Sequence, residues 1–115
     1  MGEKPDTRSG LPAGQSANLL SLISYQTGSV VSRTIIGGKA GSVTLFAFDS
    51  GEGLSEHTAP FDALVYVLEG NADINIAGTE NHLVEGDAIV LPARKPHSLH
   101  APKRFRMLLT MIRTA

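Results

Sequence analysis

Short β-rich runs recur along this chain at even spacing, each closed by a turn signal, and no other feature restricts its fold as much. SVVSRTII (29–36) ends at Gly37-Gly38, SVTLFAF (42–48) at DSGEG, and ALVYVLE (63–69) at Gly70-Asn71. ADINIA (72–77) ends at Gly78, HLV (82–84) at Glu85-Gly86-Asp87, and AIVL (88–91) at Pro92. HSLH (97–100) stops at Ala101-Pro102, and FRMLLTMI (105–112) comes last. Runs of this kind predict an antiparallel all-β sandwich or barrel. Only NLLSLIS (18–24) predicts a short helical turn, capped by Asn18 or Ser16. Residues 1–16 are rich in Gly, Pro, Ser and charge and are expected to form a flexible tail, which leaves 17–115 as the barrel domain.

Period-two alternation sorts the faces. In FRMLLTMI, Phe105, Met107, Leu109 and Met111 share one face, and Arg106, Leu108, Thr110 and Ile112 the other. Ile74 and Ile76 oppose Asp73 and Asn75. SVVSRTII is nearly continuous in Val and Ile, so as an edge strand it needs covering, and a homodimer is expected.

Composition removes several function classes. The chain has no cysteine, which excludes disulfides, thiolate metal sites and cysteine nucleophiles. A net charge of −1 argues against nucleic-acid binding. No apolar run reaches membrane-spanning length and the N-terminus lacks a signal-peptide pattern, so the expectation is a cytoplasmic protein with no membrane partner. Charge is segregated: acidic from Asp49 to Asp87 and basic from Arg94 to Arg113. Across paired strands that segregation predicts complementary pairs. GEGLSEH lacks the strand-turn-helix setting of a phosphate loop and reads as a turn.

The chain holds four histidines, at 57, 82, 97 and 100. Alternation puts His97 with Leu99 on one face and His100 on the other. His82 precedes the core residue Leu83 and is expected to face out. His82 and His100 therefore carry no function here.

Gly86-Asp-Ala-Ile-Val-Leu-Pro92-Ala-Arg-Lys-Pro96-His97 resembles the second motif of the cupin family. The stretch from His57 to Gly70 resembles the first motif, in which two histidines one residue apart and then a glutamate precede a glycine. Gly70 matches that glycine and His57 the first histidine, but Ala59 stands at the second-histidine position and Ala63 at the glutamate position. The likeness, to a small single-domain cupin, spans residues 42–112. It implies a jelly-roll (double-stranded β-helix) barrel, in which metal-bearing relatives converge three histidines and a glutamate on one ion.

Only His57 and His97 carry over as metal ligands, an incomplete set for a divalent ion such as Zn, Ni, Fe or Mn. Glu52, Glu56 and Asp62 are the nearby carboxylates, with Asp62 read as a turn residue able to swing in. The two alanines instead open space at the barrel mouth for a small organic ligand. The expected pocket is mainly apolar, lined by Phe48, His57, Ala59, Ala63, Val65, His97, Leu99, Met107 and Leu109, with Phe46 as an alternative to Phe48. Two function classes stay open: a binding cupin without catalysis, and a metal-dependent dioxygenase, isomerase or lyase acting on a small organic acid.

Overall fold

A computed structural model describes residues 10–113. The expected tail falls partly outside these residues. Of its remainder, Gly10 and Leu11 donate backbone hydrogen bonds to the carbonyls of Thr34 and Ile35.

Among the described residues, nine strands follow one 3-10 turn at Leu19–Ser21, whose N-terminus Asn18 caps by accepting from the Ser21 N–H. The strands are β1 (Val30–Gly38), β2 (Gly41–Phe48), β3 (Gly53–His57), β4 (Phe61–Glu69), β5 (Ala72–Ile76), β6 (Thr79–Leu83), β7 (Ala88–Leu91), β8 (His97–His100) and β9 (Phe105–Arg113). They form two antiparallel sheets, ordered β1-β2-β9-β4-β7 and β3-β8-β5-β6. Within them β2 pairs β9, β3 pairs β8, β4 pairs β7 and β5 pairs β6. The chain is thus one long hairpin rolled onto itself, which is jelly-roll order.

The turn at the centre of that hairpin is written locally. Ala77 and Gly78 both have positive φ, as a two-residue turn matching strand twist requires, and the Asn75 side chain accepts from the Gly78 N–H. Gly70 is glycine for two reasons: its φ is +82°, and a Cβ there would meet the Arg104 carbonyl oxygen at 2.4 Å. The motif glycine is therefore a packing requirement between the end of β4 and the start of β9.

GLSEH corrects the sequence reading. It is the strand β3, not a turn, and it pairs with β8. Leu54 is its one large apolar residue, so no alternation announced it. Gly53 admits the pairing, since a Cβ there would lie 2.3 Å from the Leu99 carbonyl oxygen.

The inner faces of the two sheets enclose a core that includes Phe48, Val65, Val67, Ile74, Leu99, Phe105 and Met107. Phe48 stacks on Phe105 with ring centroids 4.5 Å apart. A second cluster lies outside the five-stranded sheet, where Leu19, Leu22, Ile23 and Tyr25 cover Leu45, Ala47 and Leu108. The segregated charges pair as expected, Arg104 with Asp49 at 2.8 Å and Arg106 with Glu69 at 2.8 Å.

Candidate functional site

β3 ends at His57 and β8 begins at His97, and the two are cross-strand partners. His97 is flanked on its other side by Ile76 of β5. Direct partners in an antiparallel sheet share a face. Ile76 packs against the inner core and His97 is buried, so this row faces the barrel interior, while His57 at its end is exposed. The rings of His57 and His97 meet edge to face with centroids 4.4 Å apart.

Two loops hold the pair in place. The Arg94 N–H donates to the Ala59 carbonyl, and the Ala93 N–H donates to Asp62 Oδ1, each at 2.8 Å. Arg94 takes a positive φ of 64° to do so. These bonds tie the segment before His97 to the segment after His57.

Inward-facing residues change exposure along the barrel. On β9, Phe105 and Met107 are sealed, while Leu109 and Met111 are half-buried. On β4, Val67 and Val65 are sealed, and Ala63 is 7% exposed. Ala63 is cross-strand partner to both Leu91 and Met111. Burial is therefore complete at the Phe105 end of β9 and partial at its other end, where Leu109 and Met111 lie near Ala63 and the histidine row, while Ala63, Leu91 and His97 stay buried.

The expected pocket residues divide on this axis. Phe48, Val65 and Met107 lie in the packed core with Leu99, Leu109 lies half-buried beside it, and Ala59 is half-buried on the loop after β3. Sequence reasoning placed Met111 on the inward face with Met107 and Leu109 but missed Ile76 as a neighbour of the site, because only cross-strand register places it beside His97. His82 faces outward, bonded to Asp73 at 2.6 Å, and His100 is exposed. There are two open cavities, of about 510 and 430 Å³, one at the β1–β2 hairpin, with Met111 in its lining, and one between residues 22–26 and β1.

His97 is held below its ordinary pKa of 6.5, first by burial and then by the neighbouring His57, against the Lys95 carbonyl that favours its charged form. Its neutral form is thus preferred in the fold, so its contribution to stability is full above the ordinary pKa and falls away as pH drops through the lowered one. Replacing His57 by alanine removes the second cause. The His97 midpoint, read by ring-proton NMR, is expected to rise toward the ordinary value but to stay below it. A midpoint unmoved by His57→Ala would contradict the electrostatic contact.

The donor set does not fit a tightly held metal ion. Ala59 and Ala63 supply no ligand. Asp62 corrects the sequence reading: it lies in β4 rather than in a turn, and its Oδ1 is occupied by the Ala93 N–H. Glu56 is exposed. Among the described residues, no three His, Cys, Asp or Glu side chains are placed to hold an ion.

Comparison with known proteins follows the same lines. The family model described as a cupin domain matches residues 44–112. A conserved protein of unknown function from Streptococcus pyogenes superposes with TM-score 0.86 at 30% identity, over 92% of this chain and 93% of that one. A cupin superfamily protein from Desulfitobacterium hafniense gives TM-score 0.85 at 30% identity, over 91% and 96%. The salicylate 1,2-dioxygenase of Pseudoaminobacter salicylatoxidans gives TM-score 0.69 at 18% identity, over 75% of this chain and 27% of its own, a likeness of fold alone. A search of curated proteins found no match. Among the described residues no helix is long and apolar enough to cross a membrane. With the motif stretches, the jelly-roll order and the family match in agreement, the chain belongs to the cupin family.

Proposed function

We propose that this cupin binds one small, largely apolar organic molecule at the half-buried end of its barrel, anchored by His57 and His97, without metal-dependent chemistry. The observation that carries this reading is the loss of burial along β9 toward the histidine pair. The ligand's apolar body would meet Ala63, Leu109, Met111 and Ile76, which bring no charge. Its polar end would meet the two imidazoles. A dioxygenase, isomerase or lyase of the metal-dependent kind would need the two ligands that Ala59 and Ala63 do not supply.

Ligand-observed NMR with small aromatic fragments tests the binding role. Saturable binding is expected in the parent. Ala63→Leu adds carbon atoms to the mouth and is expected to weaken binding about tenfold, roughly 1.4 kcal/mol. Equal binding by parent and variant, with the variant folded by circular dichroism, would remove this reading.

The proposal includes a homodimer. Among the described residues, Ile36, Leu64, Tyr66, Val90 and Ile112 are large, apolar and exposed. All five fall on the outer face of the five-stranded sheet: Val90 is partner to Leu64, and Ile36 to Val43 beside Thr110. A contiguous apolar face of this kind marks a contact surface more often than plain solvent exposure, and a second copy would cover it by two-fold symmetry. Light scattering at micromolar concentration is expected to give a dimer mass, and Leu64→Glu a monomer. A monomeric parent would refute it.

A further inference from the structure

His57 Nδ1 lies 2.8 Å from the Ser55 carbonyl oxygen, and His97 Nδ1 lies 3.1 Å from that of Lys95. A carbonyl oxygen only accepts, so each contact fixes the ring hydrogen on Nδ1. In the neutral ring Nε2 is then a bare lone pair. The same bond, back to the residue two before, is made in both rings. It sets both to the same tautomer although they stand on different strands. Neither Nε2 has a hydrogen-bond partner among the described residues. Nor is the His97 Nε2 sealed from solvent, since Arg33 Nε is the one buried unsatisfied side-chain nitrogen or oxygen there.

The other polar groups of the mouth add acceptors or are already engaged. The Ala59 carbonyl accepts from Arg94, and Asp62 Oδ1 accepts from Ala93. Glu56 is an exposed acceptor. Ile76, Ala63, Leu109 and Met111 offer no donor side chain. The Arg94 and Lys95 side chains are both exposed, where water and salt screen the two cations and each contributes little to holding an anion.

Resting on the binding role above, we propose that the two imidazoles offer hydrogen-bond acceptors, one of which takes the single hydroxyl hydrogen of a ligand such as a phenol or alcohol, and that carboxylates are refused. A phenol places an O–H against a lone pair with its ring on the apolar wall. A carboxylate brings acceptors only, and sets its lone pairs against those of the histidines. This class differs from the small organic acids that a metal-dependent reading would favour.

The test uses EDTA-treated full-length protein at pH 7.5 and a shape-matched pair of probes, 4-methylphenol and 4-methylbenzoate. Long-range proton–nitrogen NMR is expected to show the hydrogen on Nδ1 in both His57 and His97. Titration with 4-methylphenol is expected to shift an Nε2 resonance and to saturate at least about tenfold below 4-methylbenzoate. An Nε2–H tautomer in either ring would overturn the proposal. So would 4-methylbenzoate binding equally or more tightly, although the binding role would survive that result. Failure of both probes and of uncharged apolar fragments to bind at millimolar concentration would remove the binding role and this inference together.

Discussion

Arg106→Met is expected to destabilise the fold by about 2–3 kcal/mol, far more than removal of any single surface charge. Arg106 stands on the outer face of β9, and its guanidinium is used almost fully. Nε donates to Glu69 Oε1, with Nη2 2.8 Å from the same oxygen in an ion pair, while Nη1 donates to the carbonyls of Leu20 and Ile23, at 2.7 and 3.0 Å. Tyr25 adds its hydroxyl to the same Glu69 oxygen at 2.6 Å, and the Arg106 guanidinium lies over the Tyr25 ring. Burial and the Glu69 carboxylate raise the Tyr25 pKa to about 12, and the tyrosine and arginine contacts lower that of Glu69. One side chain thus fastens residues 19–25 onto the sheet. Methionine keeps the apolar stem but removes the cation from Glu69, which keeps only the Tyr25 hydroxyl, and takes the Arg106 donor from the Leu20 and Ile23 carbonyls.

Arg104→Met is the control. Arg104 reaches Asp49 from a half-exposed position, and Asp49 titrates at about 2 through that bond and the Gly28 N–H. With the Arg104 side chain half-exposed and Asp49 keeping the Gly28 N–H, loss of this pair is expected to lower the urea midpoint much less than Arg106→Met does. Urea unfolding of both variants gives the comparison. Equal midpoints would mean that the segment is not held by Arg106.

This clasp was not legible in the sequence. Leu20 and Arg106 are 86 residues apart, and no local pattern links a short turn to a strand so distant. Segregation of acidic and basic residues announced that pairs would form, but not which ones would be buried. The strands themselves were legible because most alternate or are rich in β-branched residues between Gly, Pro and Asn. β3 was not, having one large apolar residue and four exposed positions. At the site, the approach of His57 to His97 could be reasoned from motif spacing and alternation. The tautomers could not, because they depend on the rotamer that turns each ring back to the carbonyl two residues before it. Nor could the gradient of burial, which is a property of the closed barrel and of no single strand.

Ala59 and Ala63 leave blank the two positions at which the cupin motif would place ligands beside His57 and His97. Ala59→His with Ala63→Glu is therefore expected to create a divalent site that the parent lacks. Without metal the double variant should be less stable than the parent, since a carboxylate then sits at a position only 7% exposed. Metal that binds only the folded state reverses this by mass action, by about 2.7 kcal/mol at a hundredfold excess over the dissociation constant. In a domain of this size that is a rise in Tm of roughly 10 °C. The deciding measurement is the shift in Tm on adding zinc or nickel to the parent, to the double variant and to His97→Ala, each against an EDTA control. The prediction is a large shift in the double variant and almost none in the parent. A large shift in the parent, abolished by His97→Ala, would show that another side chain completes a metal centre there and would contradict the account.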